Sequence, residues 1–187
     1  MNEELKALEA GDYVLVARLL QGVYRGALWH VGKIEEKVEG SSLDEVYRKL
    51  ESLLYERQSA KAAARNGADP TVEETAKAFQ RILPKMSDGQ RAMLRAHLKA
   101  PERRITATQL AAAAGYANYS AANLQYGLLG AMLFAEMPED LPRRKDGSPV
   151  MTCAIASGDT KLTIDEEHWV WKMRPHVEEA LLGVQGF

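Results

Sequence analysis

Residues 88–136 read DGQRAMLRAHLKAPERRITATQLAAAAGYANYSAANLQYGLLGAMLFAE, and the way this stretch breaks into helices decides the fold. Ser87 with Gln90, and Thr106 with Gln109, have the S/T-x-x-E/Q spacing of a capping box. In that motif hydroxyl and carboxamide each satisfy the other residue's backbone N–H at a helix start. Met93, Leu94 and Leu98 recur at helical spacing, and Pro101 ends the first helix. The second runs through Leu110 and the Ala111–Ala114 block to Gly115, a helix-terminating residue. The third opens at Ser120 and reaches about Glu136, with Leu124, Leu128, Ala131 and Met132 expected to face inward. Helix, short helix, turn near Gly115–Tyr119 and helix make a helix-turn-helix pattern.

Working outward, Thr71 and Glu74 start one more helix, which buries Val72, Ala76, Phe79 and Leu83 and ends at Pro84. Downstream, Leu141–Pro149 reads as loop. Val150–Ala156 and Lys161–Ile164 flank Ser-Gly-Asp-Thr as a hairpin, and His168–Met173 reads as a strand. Trp169 and Trp171 alternate there at strand period and are expected in the core. The 150–172 segment would supply a wing, and a short helix runs from Pro175 through Leu182. Upstream, YVLVARLL, VYRGALWHV and KIEEKVEG over 13–39 are rich in β-branched and aromatic residues, with breaks at Gln21-Gly22 and Gly32-Lys33. A small antiparallel meander is the natural reading, although YVLVARLL also admits a helical start. Ser42 and Glu45 then cap a helix whose stripe is Leu43, Val46, Tyr47, Leu50, Leu53 and Leu54, and which stops at Gly67. The expected architecture is α+β: a ββ(β)α unit over 1–67, then a mainly helical, winged helix-turn-helix-like domain over 68–187.

The chain has 187 residues, a formal net charge of −2 and 46% hydrophobic residues. That balance excludes a histone-like polycation and suits an ordinary globular protein. No apolar run reaches the length a bilayer requires, and the start MNEELKALEAGDY lacks the apolar core of a signal peptide. With the single Cys153, this points to a reducing, cytoplasmic setting. His30, His97, His168 and His176 lack ligand spacing, so no metal and no cofactor are expected. Cys153 reads as a small buried residue.

The second helix of a helix-turn-helix lies in the major groove with its first turns on base edges. Here those turns offer Asn118, Ser120, Asn123, Gln125 and Tyr126; carboxamides suit adenine, and hydroxyls suit sugar or phosphate. Between Lys77 and Arg104 eight basic residues stand against Asp88 and Glu102, a local charge of +6. Arg91, Arg95 and Lys99 share one helix face, and with Arg103, Arg143, Arg144 and Lys145 they are candidate phosphate contacts. The alternative is an ordinary solvated face. Asp12 followed by Glu35-x-Lys37 loosely matches metal-dependent nucleases, yet Glu35 and Lys37 also suit a plain surface strand.

Residues 105–130, with their Gly-Tyr, Asn-Tyr and Asn-Leu-Gln-Tyr-Gly run, resemble a bacterial module found next to HNH-type restriction endonucleases and in stand-alone bacterial and phage proteins. The ending HWVWKMRPHVEEALLGVQGF shares this resemblance, which covers about residues 86–187. It implies a restriction, defence or phage setting rather than a reaction. The nuclease segment of the larger proteins, with its HNH pattern, is expected to be absent here. The expectation is therefore a non-catalytic protein that binds nucleic acid, double-stranded DNA in the first place. A protein–protein module, such as a phage-encoded inhibitor of a defence nuclease or a nuclease adaptor, is the alternative. The tendency of helix-turn-helix proteins to dimerise is the sole ground for expecting a homodimer.

Overall fold

A computed structural model describes residues 5–159, 169–185 and 187. The fold is mixed α+β and divides into two compact units, Met1–Asn66 and Gly67–Phe187.

The first unit is a four-stranded antiparallel meander in the order β1-β2-β3-β4, followed by one long helix. Its strands are β1 (Leu5–Ala10), β2 (Tyr13–Leu20), β3 (Val23–His30) and β4 (Lys33–Gly40), and the helix is α1 (Leu43–Ala63). The helical option for YVLVARLL is thus excluded. Strand β1 lies in a segment that the sequence pattern did not mark as a strand.

Two-residue turns join β2 to β3 and β3 to β4. In each of these turns both residues have positive φ: Gln21 (51°) with Gly22 (79°), and Val31 (49°) with Gly32 (76°). Such turns match the right-handed twist of the strands they connect. Alternate residues Leu15, Ala17 and Leu28 are fully buried on one face of the sheet, against Val46, Leu50 and Leu54 of α1. The helix approaches the sheet at Gly26, where a Cβ would sit 2.6 Å from Val46 Cγ1. At the start of α1 the Ser42 hydroxyl accepts from Glu45 N (3.2 Å), while the Glu45 carboxylate accepts from Ser41 N (2.9 Å).

The second unit runs α2 (Val72–Ile82), α3 (Asp88–Lys99), β5 (Arg104–Thr106), α4 (Ala107–Ala114), α5 (Tyr119–Glu136), β6 (Ala156–Gly158), β7 (Val170–Met173) and α6 (Pro175–Gly183). Full capping boxes form at Thr71/Glu74, Ser87/Gln90 and Thr106/Gln109. Gly115 ends α4 at φ 69° with its N–H on helix carbonyls. The three short strands form an antiparallel sheet in the order β5-β7-β6, so the strand between α3 and α4 pairs with the last strand of the chain. The expected hairpin is only partly of this form. Residues 151–154 are a 3₁₀ turn rather than strand, and Lys161–Ile164 lie outside the described residues. Trp171 is buried and Trp169 packs against the same core. No helix among the described residues is long and apolar enough to cross a membrane.

Val31 is a β-branched residue held at φ 49°, 71% exposed, with little packing to offset the strain. Val31→Asn, which tolerates this conformation, is expected to raise the stability of the first unit by about 1 kcal/mol. Chemical denaturation followed by far-UV circular dichroism measures it, and an unchanged midpoint contradicts the strain argument.

Candidate nucleic-acid interface

The helix pair α4–α5 is positioned by a buried hydrogen-bond cluster. His97, on α3, is fully buried, and its Nδ1 lies 2.6 Å from the hydroxyl of Tyr126 on α5. Its Nε2 faces two carbonyl oxygens, those of Arg103 (3.0 Å) and Trp171 (3.1 Å). Carbonyls only accept, so the imidazole proton sits on Nε2 and Nδ1 accepts from the tyrosine hydroxyl. One ring thereby joins α3, α5, the 101–103 turn and β7. Glu102 (φ 50°) and Arg103 (φ 57°) take left-handed conformations in that turn, as the Arg103 carbonyl is held on the imidazole. Helix α5 is pinned again at Gly130, where a Cβ would meet the Met151 carbonyl oxygen at 2.1 Å.

This anchoring sets the rotation of α5 and corrects the sequence reading twice. Tyr126 has no exposed surface, so it cannot touch a base or a sugar; its hydroxyl belongs to His97. Leu124 and Leu128, expected inside, are 63% and 48% exposed, and Ala122, Leu129 and Leu133 take the inward positions. The cause is plain in the sequence of α5. Apolar residues occupy nearly its whole circumference, so periodicity cannot select a face, and the one hydroxyl requiring a partner does.

The other candidates fall into three groups. Asn118 is the N-cap of α5, its Oδ1 accepting from Ala121 N at 2.9 Å. Ser120 is exposed beside it; Asn123 and Gln125 are half-buried, and Asn123 Oδ1 is turned inside. The α3 cations diverge. The half-buried Arg91 donates back to the Leu83 carbonyl, Arg95 lies over the Phe187 ring (5.6 Å), and Lys99 is exposed. Arg103 pairs with Glu178 at 2.8 Å. Much of the local +6 is offset in the same way, since Lys77, Arg81 and Arg104 also face carboxylates.

The third group is better ordered than a plain loop. Arg144 N donates to Ser148 O (2.8 Å) and Val150 N to Pro142 O (2.8 Å), closing a small hydrogen-bonded loop around Asp146-Gly147. Arg143 donates to the Gly147 carbonyl and Arg144 to the Pro149 carbonyl, both at 2.9 Å, and Lys145 is exposed. Neutral acceptors leave the positive charge of these arginines in place.

In the first unit the nuclease-like pattern does not assemble. Glu35 is held by His30 (2.8 Å) and Arg57 (3.6 Å), while Lys37 lies among the residues of the opposite face of the sheet. Among the described residues no group of three His, Cys, Asp or Glu is placed to hold a metal ion. Cys153 is half-buried, and burial pushes its thiol above the usual range. Sequence reasoning missed a buried ion pair at the start of α6. Arg174 meets Glu139 at 2.5 Å and also donates to the Cys153 carbonyl at 2.9 Å, closing the core beneath that helix.

No family model, no curated protein and no solved structure matches the chain.

Burial holds the His97 pKa down at about 4, from an ordinary 6.5. A depressed histidine leaves stability intact above pH 6.5. Below that the unfolded chain takes up the proton first, and stability falls until the pH passes about 4. The loss is of order 3 kcal/mol for the second unit. Urea midpoints measured between pH 7 and pH 4 are expected to follow this slope, and His97→Gln to flatten it. A wild-type midpoint independent of pH contradicts it.

Proposed function

We propose that the second unit binds double-stranded DNA as a winged helix-turn-helix, without catalysis. The observation that carries this reading is the order α3-β5-α4-α5-β6-β7 together with the sheet order β5-β7-β6. The turn between α4 and α5 presents the start of α5, and the antiparallel pair β6 and β7 supplies the two strands that a wing would join. Ser120, Asn118 and the accessible part of Gln125 are the polar groups suited to base edges or sugar, and Leu124 suits the thymine methyl group. Arg143, Arg144, Lys145 and Lys99 supply phosphate contacts. The resemblance of residues 86–187 to a module beside HNH-type nucleases suggests a bacterial restriction, defence or phage setting.

A second reading is favoured by one specific observation. Helix α5 carries no cationic residue, and its Leu124 and Leu128 form an exposed i, i+4 ridge. Such a ridge suits the groove of a protein partner, a nuclease or a second copy of this chain.

Fluorescence anisotropy on a labelled duplex separates the two. Under DNA binding, affinity falls as salt rises from about 50 to 200 mM. The triple change Arg143→Ala, Arg144→Ala, Lys145→Ala then lowers the log–log slope by about 2 to 3. Absence of salt-dependent duplex binding, combined with a mass shift lost in Leu124→Ser, establishes the protein-partner reading instead.

A further inference from the structure

We infer that the bare face of the meander in the first unit is a binding site for single-stranded nucleic acid, a proposal that goes beyond the reading of the second unit and does not rest on it.

Helix α1 covers one side of the sheet. The register places three rows of side chains on the other. One row is Leu5, Arg18, Arg25 and Glu39; the next is Ala7, Val16, Ala27 and Lys37; the last is Glu9, Val14, Trp29 and Ile34. Val14, Val16, Ala27, Trp29 and Ile34 line a concave surface of about 780 Å³ with Arg18, Arg25 and Lys37 at its rim. The face therefore has an apolar end built around one indole and a cationic end. Rows two residues apart along a strand are separated by about 7 Å, which is comparable to the distance between adjacent units of an extended single strand.

Two features point to an anion with a flat body. First, Arg18 and Arg25 are direct cross-strand partners on the same face. Like charges so placed repel, and a bound anion relieves them. Arg25 is partly compensated by Glu39 at 2.8 Å, whereas Arg18 and Lys37 are exposed and make no ion pair among the described residues. Second, Trp29 is half-buried on an aliphatic floor. It thus offers an aromatic platform, and every base has a π-face to stack on it. A base over Trp29 with phosphates running toward Lys37 and Arg18 uses both ends. A duplex hides its base faces and would leave the concave apolar floor unfilled, which is why the single strand is favoured. Sheets that bind nucleic acid through stacked aromatics and flanking cations are an established physical solution.

Anisotropy of the full chain with fluorescein-labelled oligo-dT of about 20 nucleotides at about 50 mM salt tests the site. Saturable binding is expected, with Trp29→Leu weakening it about 5- to 100-fold. Arg18→Ala/Lys37→Ala is expected to weaken it about tenfold or more. Both of these positions are exposed, so that variant carries the test should Trp29→Leu fail to fold by circular dichroism. The Arg143/Arg144/Lys145 triple alanine variant should leave oligo-dT binding unchanged while it alters duplex binding, so the two sites fail separately. The proposal is overturned by absence of oligo-dT binding, or by indifference to Arg18→Ala/Lys37→Ala. A Trp29-dependent dimer in analytical ultracentrifugation that excludes the oligonucleotide also overturns it and assigns the face to a second copy.

Discussion

The hydrogen bond between His97 and Tyr126 is the constraint on which the second unit depends. Its two rings are buried, and neither can be paired with water. Leaving either polar group unpartnered would cost on the order of 1–3 kcal/mol, so α3 and α5 are held at one separation and one rotation. The same imidazole takes up carbonyls from the 101–103 turn and from β7. Through these three contacts a single side chain sets where α5 lies relative to the small sheet. The neutral tautomer is what makes this possible, and burial enforces neutrality.

From that rotation follows the surface of the unit. With Tyr126 inside, the exposed ridge of α5 is Ser120, Leu124 and Leu128, which is apolar and uncharged. The helix that would read DNA contributes shape and a few hydrogen bonds, and the charge must come from outside it. The 142–150 loop fits this division, because its own backbone carbonyls orient Arg143 and Arg144 without neutralising them. By contrast, the cations between residues 77 and 104 are largely committed to carboxylates, and Arg91 to the Leu83 carbonyl at the end of the preceding helix. A charge count along the sequence therefore overstates that patch and understates the loop.

What the sequence revealed divides along the same line between local and tertiary causes. Capping boxes at Thr71, Ser87 and Thr106 and the αL glycine at 115 depend on neighbours within a few residues, and the helices start and stop there. The meander was legible because β-branched runs and two-residue turns are also local. Strand β1 was not, since LKALEA has helix-forming residues and becomes a strand only by pairing with β2. The phase of α5 was not legible either, because an all-round apolar helix carries no periodic signal and its orientation was decided by a histidine 29 positions away. For the site, the loop cations and the N-cap Asn118 were within reach of sequence reasoning. The loss of Tyr126 to the core and of Arg103 to Glu178 was not, as each partner lies far along the chain.

The net charge of −2 bears on how either surface would work. A chain nearly neutral overall gains little from long-range attraction to a polyanion, so each surface must rely on a few short-range contacts. Sites of that kind are individually weak, and their salt dependence is limited by the few phosphate contacts each makes. What a near-neutral total leaves intact is local charge: the cations of the 142–150 loop are held by neutral backbone carbonyls and keep their charge whatever the rest of the chain sums to. The distribution of charge over the folded surface, rather than its sum along the sequence, is therefore the quantity that bears on any anionic ligand.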